Sequence, residues 1–565
     1  MIDKKKRYDI KGICLYLLMA GGSLNISSAS AANQLLTGNP SKTFFKAAFA
    51  KYSNFGLQKF RVDCTSICSD LRMNEDSIFT FSIPRYGDLL MDTYIVLNLP
   101  DIWSPIYNPC AETNYKWIGY EYKWIDDIGA QMIKSIEIGC GSVQLQQFSG
   151  SYLSAMIDRD FTTDKKNVYN AMSGNTADMN DPGNAFGREN AYPSAYYTTN
   201  VLGAEPSIRG KKIYIPINSW FSLNSRSAFP LQTIRDQLQV KITMRPIYEL
   251  FVVRDVYDFT NNHPYIQPDM TREPFLMYHF LQTPPAVNIN TATVYENKRV
   301  TWNADVHLLA THCFLSSDEA GQFKKKKQQY LMKNIIEYTF SGIVGSKKIQ
   351  LKNSKGLVAN WMFYLRRSDA ALRNQWSNYS NWPYKMLPSN VIWAPASGPG
   401  VNRISDTFSE NTGLFISGDR SSMNQKEILL GLGIQFDGEI REISLDAGIY
   451  DYVEKYNRSA GCAKEGLYCY NFCLSTDPHQ YQPSGAVNLS HYKRVEFDIT
   501  TFQPQLDATP TLTPDYVSCG PTGIPISVSR KNCWELYEYY YNLVLFEETY
   551  KVLTILNGDI QISSD

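Results

Sequence analysis

No Gly-x-x-x-x-Gly-Lys-Ser/Thr phosphate loop, no Gly-x-Ser-x-Gly nucleophile elbow and no His-Glu-x-x-His pair occurs in the 565 residues. Histidine is scarce, at six residues, and none of the eleven cysteines forms a Cys-x-x-Cys pair, so a zinc site lacks both of its usual ligand patterns. The odd cysteine count and irregular spacing exclude a regular disulfide framework and leave buried free thiols as the plain reading. Charge of one sign is also missing. Lys+Arg and Asp+Glu both number 55, giving a formal net charge of zero, whereas a protein that wraps nucleic acid carries a basic excess. A neutral chain also offers little repulsion against self-association. No apolar run reaches the roughly 18 residues that a membrane-crossing helix needs. Residues 13–20 follow a basic opening, MIDKKKRYDIKG, and have the length of a secretion-signal core, with Ala29-Ser30-Ala31 as a small-residue cleavage site.

What is present is the material of a folded chain. Hydrophobic residues make up 44% and charged ones only 19%, in a length that suits two or three domains. The 38 tyrosines suit strands and wet interfaces, because each has a flat apolar body and a polar tip. SIFTFSIP at 77–84 alternates polar and apolar residues, turns at Tyr86-Gly87-Asp88 and is followed by TYIVLNL at 93–99. Similar strands are predicted at 132–138, 212–217, 237–244, 334–340, 357–365, 441–449, 467–474 and 543–555. Many short strands with turn punctuation imply antiparallel sandwiches. Two polar stretches, 164–209 and 394–425, read as long surface loops. The segment 255–274, with three prolines and few apolar pairs, reads as a linker between two halves. The four lysines at 324–327 read as a solvated face.

Chemistry-bearing pairs are few. Asp126-Asp127 has the look of a carboxylate pair, but adjacent acids more commonly start helices and turns. His312-Cys313 would be a base and a nucleophile, except that neighbours in a strand point to opposite faces. No catalytic, cofactor-binding or metal-binding residue is assigned.

Residues 34–45, QLLTGNPSKTFF, followed by KYSNF at 51–55, resemble the opening of the major capsid proteins of nucleocytoplasmic large DNA viruses. That opening reads Leu-Thr-Gly-x-Pro, Thr-Phe-Phe-Lys, then a basic residue and His-Thr-Asn-Phe, and Tyr52-Ser53 stands here in place of His-Thr. Further similar segments follow in family order. They are IPRYGDLL at 83–90, IKSIEIG at 133–139, YIPINSWF at 214–221, PLQTI at 230–234 and, less specifically, 318–330. The last is DPHQYQPSGAVNLS at 477–490. The matches span about residues 34 to 490.

The resemblance implies an all-β chain of two tandem eight-stranded jelly-roll β-sandwiches with long loop insertions and a few short helices. The expected divisions are an N-terminal arm at 1–34, a first jelly roll at 35–254, a linker at 255–275 and a second jelly roll at 276–565. It implies a structural role for the motif residues Thr37, Gly38, Pro40, Phe44, Phe45, Asn54, Phe55, Arg85, Gly87, Asp88, Pro216, Trp220, Gln482, Pro483, Ser484, Gly485 and Asn488. It further implies a homotrimeric, pseudo-hexagonal capsomer in an icosahedral virion capsid, assembled in the host cytoplasm. The expected partners are neighbouring capsomers, minor capsid and penton proteins and a nearby inner viral membrane, with no direct nucleic-acid contact and no cofactor. The loops 164–209 and 394–425 become candidates for outer towers. Of the sequons at Asn25, Asn378, Asn457 and Asn488, Asn378 is the candidate for glycosylation. Met19-Ala20-Gly21-Gly22 is similar to the start of family members, so 1–18 reads either as an upstream extension or as the product of choosing an earlier start codon, and cleavage after Ala31 is not expected. Two other classes fit an all-β chain: a secreted or surface carbohydrate-binding β-sandwich, and a glycan-active enzyme with carboxylates roughly 5–10 Å apart.

Overall fold

A computed structural model describes residues 34–35, 37–47, 49–65, 70–107, 118–189, 191–195, 205–254, 265–284, 295, 297–352, 354–381, 426–503, 516–519, 525–529 and 539–563. The expectations for 1–33 and for 394–425 lie outside these residues. The chain divides into two compact units, Met1–Asn54 and Phe55–Asp565. In the first, the Gly38 N–H bonds the Gln34 carbonyl in one helical turn, and Phe44, Phe45 and Phe49 are almost wholly exposed.

In the second unit, alternating sequence becomes alternating burial. Along SIFTFS, Phe79 and Phe81 are buried while Ile78 between them and Ser77 is half exposed, as a pleated strand with one covered face requires. Eight such strands make the first sandwich: β1 (Phe55–Asp63), β2 (Ser77–Ser82), β3 (Leu89–Leu99), β4 (Ile133–Cys140), β5 (Val143–Phe148), β6 (Lys211–Pro216), β7 (Leu238–Met244) and β8 (His307–Leu315). They pair antiparallel in two sheets, in the orders β1-β8-β3-β6 and β2-β7-β4-β5. Eight more make the second: β9 (Gln328–Ile343), β10 (Ser346–Leu351), β11 (Leu357–Arg367), β12 (Leu429–Phe436), β13 (Glu439–Asp446), β14 (Leu467–Asn471), β15 (Val495–Thr501) and β16 (Tyr541–Leu556). Their orders are β9-β16-β11-β14 and β10-β15-β12-β13. Each number is eight more than its counterpart in the first sandwich. The same jelly roll is therefore wound twice.

The structure moves one expected boundary. β8 lies beyond the expected linker, in what was read as the second jelly roll, yet it pairs with β1 and β3 inside the first. Proline-rich composition marks an excursion between two strands of one sandwich, and the crossover between sandwiches follows β8 through α3 (Ser317–Lys325). The run of lysines caps the C-terminal end of that exposed helix, with Asp318 and Glu319 in its first turn, so both ends suit the helix dipole. The expected loop at 164–209 is also corrected. It opens with α2 (Thr163–Ser173), which starts after Thr162, carries Asp164 in its first turn and stops at Gly174 in the left-handed conformation. The predicted strand 441–449 ends at Asp446, and the chain then turns into a helix, α4 (449–458), anchored where the Tyr450 hydroxyl donates to the Leu432 carbonyl.

The core explains why the two sandwiches form one unit. Inside the second sandwich, Trp361, Phe363, Leu365, Leu543 and Leu545 meet Leu432, Ile434 and Phe497. The alternate residues of the same strands, Met362, Tyr364, Val544 and Phe546, join a different cluster that continues into the interior of the first sandwich. β11 and β16 are therefore covered on both faces, which is why they read as near-continuous apolar runs. Each such side chain contributes about 1.5–3 kcal/mol of burial.

The piece wedged against that outer face is α1 (Gly150–Asp160), all eleven residues of which are buried. Ser149 caps it by accepting from the Tyr152 N–H at 3.2 Å. A Cβ at Gly150 would collide with the Ala130 carbonyl oxygen and stand 2.5 Å from that of Ile133. Gly150→Ala is therefore expected to destabilise the chain by at least about 1–3 kcal/mol, read as a lowered urea midpoint with an unchanged m-value.

Candidate functional site: the junction between the sandwiches

Near the C-terminal end of α1, three charged groups go out of water together. Arg159, Asp160 and Glu548 are each no more than 4% exposed. The Arg159 guanidinium donates from Nε and Nη2 to both oxygens of Asp160 at 2.9 and 2.7 Å. Nη2 also donates to Glu548 Oε1 at 2.8 Å, and Nη1 to Asn360 Oδ1 at 2.8 Å. Asn360 returns a bond from Nδ2 to Glu548 Oε2 at 2.9 Å, and the Tyr152 hydroxyl donates to Oε1 at 2.9 Å. Lys333 on β9 adds its ammonium at 3.4 Å. Glu548 thus has four donors, two of them from the first sandwich and two from the second. Burial alone would raise its carboxyl, but the charges of Arg159 and Lys333 and the bonds from Asn360 and Tyr152 outweigh that and hold it well below the usual carboxylate range. Asp160 shares the guanidinium, and burial together with the neighbouring charge of Glu548 raises its carboxyl despite Arg159.

The neighbouring residue makes the opposite choice of face. Glu547 points into the second sandwich, where Trp361 Nε1 donates at 2.8 Å, Tyr338 OH at 3.3 Å, and Ser354 Oγ as well. No cation is among these partners, and burial raises its carboxyl.

A second clasp lies along the same junction. Asn374, in the left-handed conformation, donates from Nδ2 to the carbonyls of Tyr248 and Phe251 at 2.8 Å each. Trp376 Nε1 donates to the Glu249 carbonyl at 3.0 Å, and Arg245 lies 4.1 Å from the Trp376 ring centre. This clasp corrects the glycosylation expectation. Asn378, two residues on, is only 4% exposed, and its Oδ1 accepts from the Ser380 N–H and hydroxyl. Among the described residues its side chain is thus turned inward rather than offered to solvent.

The other motif residues are dispersed. Thr37, Gly38, Pro40, Phe44, Phe45 and Asn54 lie in the exposed first unit, and Phe55 opens β1. Arg85 Nη2 donates to the carbonyls of Arg235 and Asp236, the Gly87 N–H approaches His312 Nδ1 at 3.4 Å, and Asp88 Oδ2 accepts from the Leu315 N–H. This turn fastens β8 into its sheet. Pro216 ends β6 opposite Tyr94. Trp220, Gln482, Pro483 and Ser484 come together in one cleft of about 60 Å³ beside Lys333 and Glu548. Ser484 Oγ bonds both the N–H and the carbonyl of Ser475, and Gly485 takes a φ of 144° that other residues avoid. Asn488 pairs with Leu357 and accepts from the Ser490 N–H. Asp127 starts a one-turn helix, Ile128–Gln131, and His312 and Cys313 pack in separate surroundings. Among the described residues, no cluster of His, Cys, Asp or Glu is placed to hold a metal ion. Sequence reasoning missed the network itself. The only sign was two clusters of charge, Asp-Arg-Asp at 158–160 and Glu-Glu at 547–548, each following an apolar stretch.

The family described as "Major capsid protein N-terminus" matches residues 43–296. A major capsid protein of Phaeocystis pouchetii virus is 22% identical over 84% of this chain and 91% of its own length. The chain is similar to the major capsid proteins of large DNA viruses. The PBCV-1 virus capsid subunit, at 16% identity, superposes over 93% of this chain and 100% of that chain with a TM-score of 0.56. The Faustovirus major capsid protein, at 12% identity, covers 94% of each chain with a TM-score of 0.57. Both carry the same double jelly-roll fold.

Two measurements check the energetics of the junction. Arg159→Leu leaves two buried carboxylates facing each other and is expected to cost about 3–5 kcal/mol, read by chemical denaturation. The depressed Glu548 carboxyl supplies stability that is present above the ordinary value of about 4.5 and lost as pH falls below it. Glu548→Gln is accordingly expected to lower stability at neutral pH and to flatten the acid limb of the stability-against-pH curve. An acid limb as steep as that of the parent chain would contradict the assignment.

Proposed function

We propose that three copies of this chain close into a ring of six sandwiches, and that these capsomers tile the icosahedral shell of a large double-stranded DNA virus around an internal membrane. The observation that carries the reading is the strand order repeated twice in one chain. Two like modules fixed side by side let a three-fold object present six similar flanks, which is the outline a hexagonal lattice needs. Fusion also replaces half of the module-to-module encounters by an intramolecular junction, and the buried network makes that junction stiff. The protein acts as a building block, without catalysis and without direct contact to nucleic acid. Minor capsid and penton proteins complete the shell, and assembly takes place in the host cytoplasm. The exposed Phe44, Phe45 and Phe49 of the first unit support a further contact there, since side chains of that size are rarely left in water without a partner.

Purified chain is expected to run at three times 64.4 kDa and to show hexagonal outlines by electron microscopy. Monomers that bind sugar would overturn the reading in favour of a carbohydrate-binding sandwich.

A further inference from the structure

The second sandwich reaches back to the first through one more element. Residues 475–484, after β14, form a closed loop, since Ser484 Oγ accepts from the Ser475 N–H and donates to the Ser475 carbonyl, at 3.0 Å each. Its near end is fixed to the buried network. There the Thr476 hydroxyl donates to Asp160 Oδ1 at 2.6 Å, and Lys333 Nζ donates to the Thr476 carbonyl at 3.3 Å. Most of the loop lines the cleft that holds Lys333, Glu548 and Trp220.

The tip of the loop is held by the first sandwich. Lys165 of α2 places Nζ 2.6 Å from His479 Nε2, the Phe161 ring centre lies 5.6 Å from that of the imidazole, and Asn224 Nδ2 donates to the His479 carbonyl at 3.1 Å. On its other nitrogen the imidazole meets Asp477 Oδ1 at 3.2 Å. An ammonium only donates and a carboxylate only accepts. One species satisfies both contacts: the neutral ring with its proton on Nδ1 and a lone pair on Nε2. A second proton has to enter at Nε2, where Lys165 already stands. The other charges of the surrounding elements have their own places. Lys166 pairs with Asp158, Lys333 pairs with Glu548, Arg226 lies 6.0 Å from the Tyr481 ring centre, and Asp164 is exposed at the start of α2.

We propose that residues 475–484 are an acid-released strap: a proton on His479 expels Lys165 from Nε2, frees the tip from α2 and admits water to the cleft beside Lys333 and Glu548, while the root at Ser475, Thr476 and Ser484 stays closed. The direction follows from which partner travels. Asp477 moves with the strap and attracts the imidazolium equally whether the strap is down or lifted, whereas Lys165 opposes it only when the strap is down. Falling pH therefore favours release. Imidazole ordinarily changes charge between pH 5 and 8, so the strap lifts before acid reaches Glu548, whose carboxyl is held below the usual range. The strap belongs to a single chain and stands or falls apart from the ring of three.

Hydrogen–deuterium exchange of the full chain at about pH 7.5 and about pH 5.5, corrected for the intrinsic pH dependence of amide exchange, reads this local opening. Peptides covering 475–484 are expected to lose protection by roughly two- to fivefold at the lower pH, the size of one exposed ionic contact, with β2 unchanged as the reference. His479→Gln, whose amide oxygen accepts from Lys165 at either pH, is expected to abolish the difference. Lys165→Met is expected to show the lower protection at both pH values. Equal protection of the parent chain at the two pH values, or the same loss in His479→Gln, would overturn the strap. If His479→Gln does not fold, Lys165→Met carries the test alone, and a pH-dependent loss that survives in it would overturn the strap as well.

Discussion

The salt-bridged triad of Arg159, Asp160 and Glu548 sets the terms for the rest of the molecule. Removing such groups from water costs several kcal/mol each, and the cost is offset only when geometry supplies every missing partner. Here the partners come from α1, β9, β11 and β16, so four elements must reach their final places together. The network adds little net stability compared with an apolar wedge of equal size. What it contributes is position. An apolar helix could slide or rotate on an apolar sheet, whereas α1 has one register in which Glu548 finds both Arg159 and Tyr152.

The adjacent pair Glu547 and Glu548 states the same constraint from the sheet's side. Consecutive strand residues face opposite ways, so β16 holds one carboxylate in each of two interiors. That arrangement is tolerable only in a strand with protein on both sides. It makes the β9-β16-β11-β14 sheet the middle layer of the assembly of layers, shared by two cores.

The strands were legible because alternation and turn residues are local signals. Phe79 and Phe81 announce a covered face within six residues. What could not be read was whatever depends on distant pairing. β8 looked like the beginning of a second domain because the proline-bearing segment before it resembles a linker, and nothing nearby says that its partners are β1 and β3. The helix α2 was hidden by the polar composition of its exposed side. Asn378 carried a correct sequon, but its burial comes from Trp376 docking on the first sandwich, which lies more than a hundred residues away. The motif residues marked turns and strand ends, and Trp220 and the Gln482–Ser484 segment do meet beside the network. Arg159 and Glu548 gave no joint signal, since 389 residues separate them.

That separation has a consequence in time. Ribosomes add about 5–20 residues per second, so Arg159 leaves the ribosome roughly 20–80 s before the glutamate it will bind. During that interval Asp160 is its only ionic partner from the triad, and the face of α1 meant for the second sandwich has no sheet to cover it. The first jelly roll is thus born incomplete and waits for almost the last strand of the chain. The strand that completes the second sandwich also carries the carboxylate that joins the two halves, so a chain cut short of β16 lacks both.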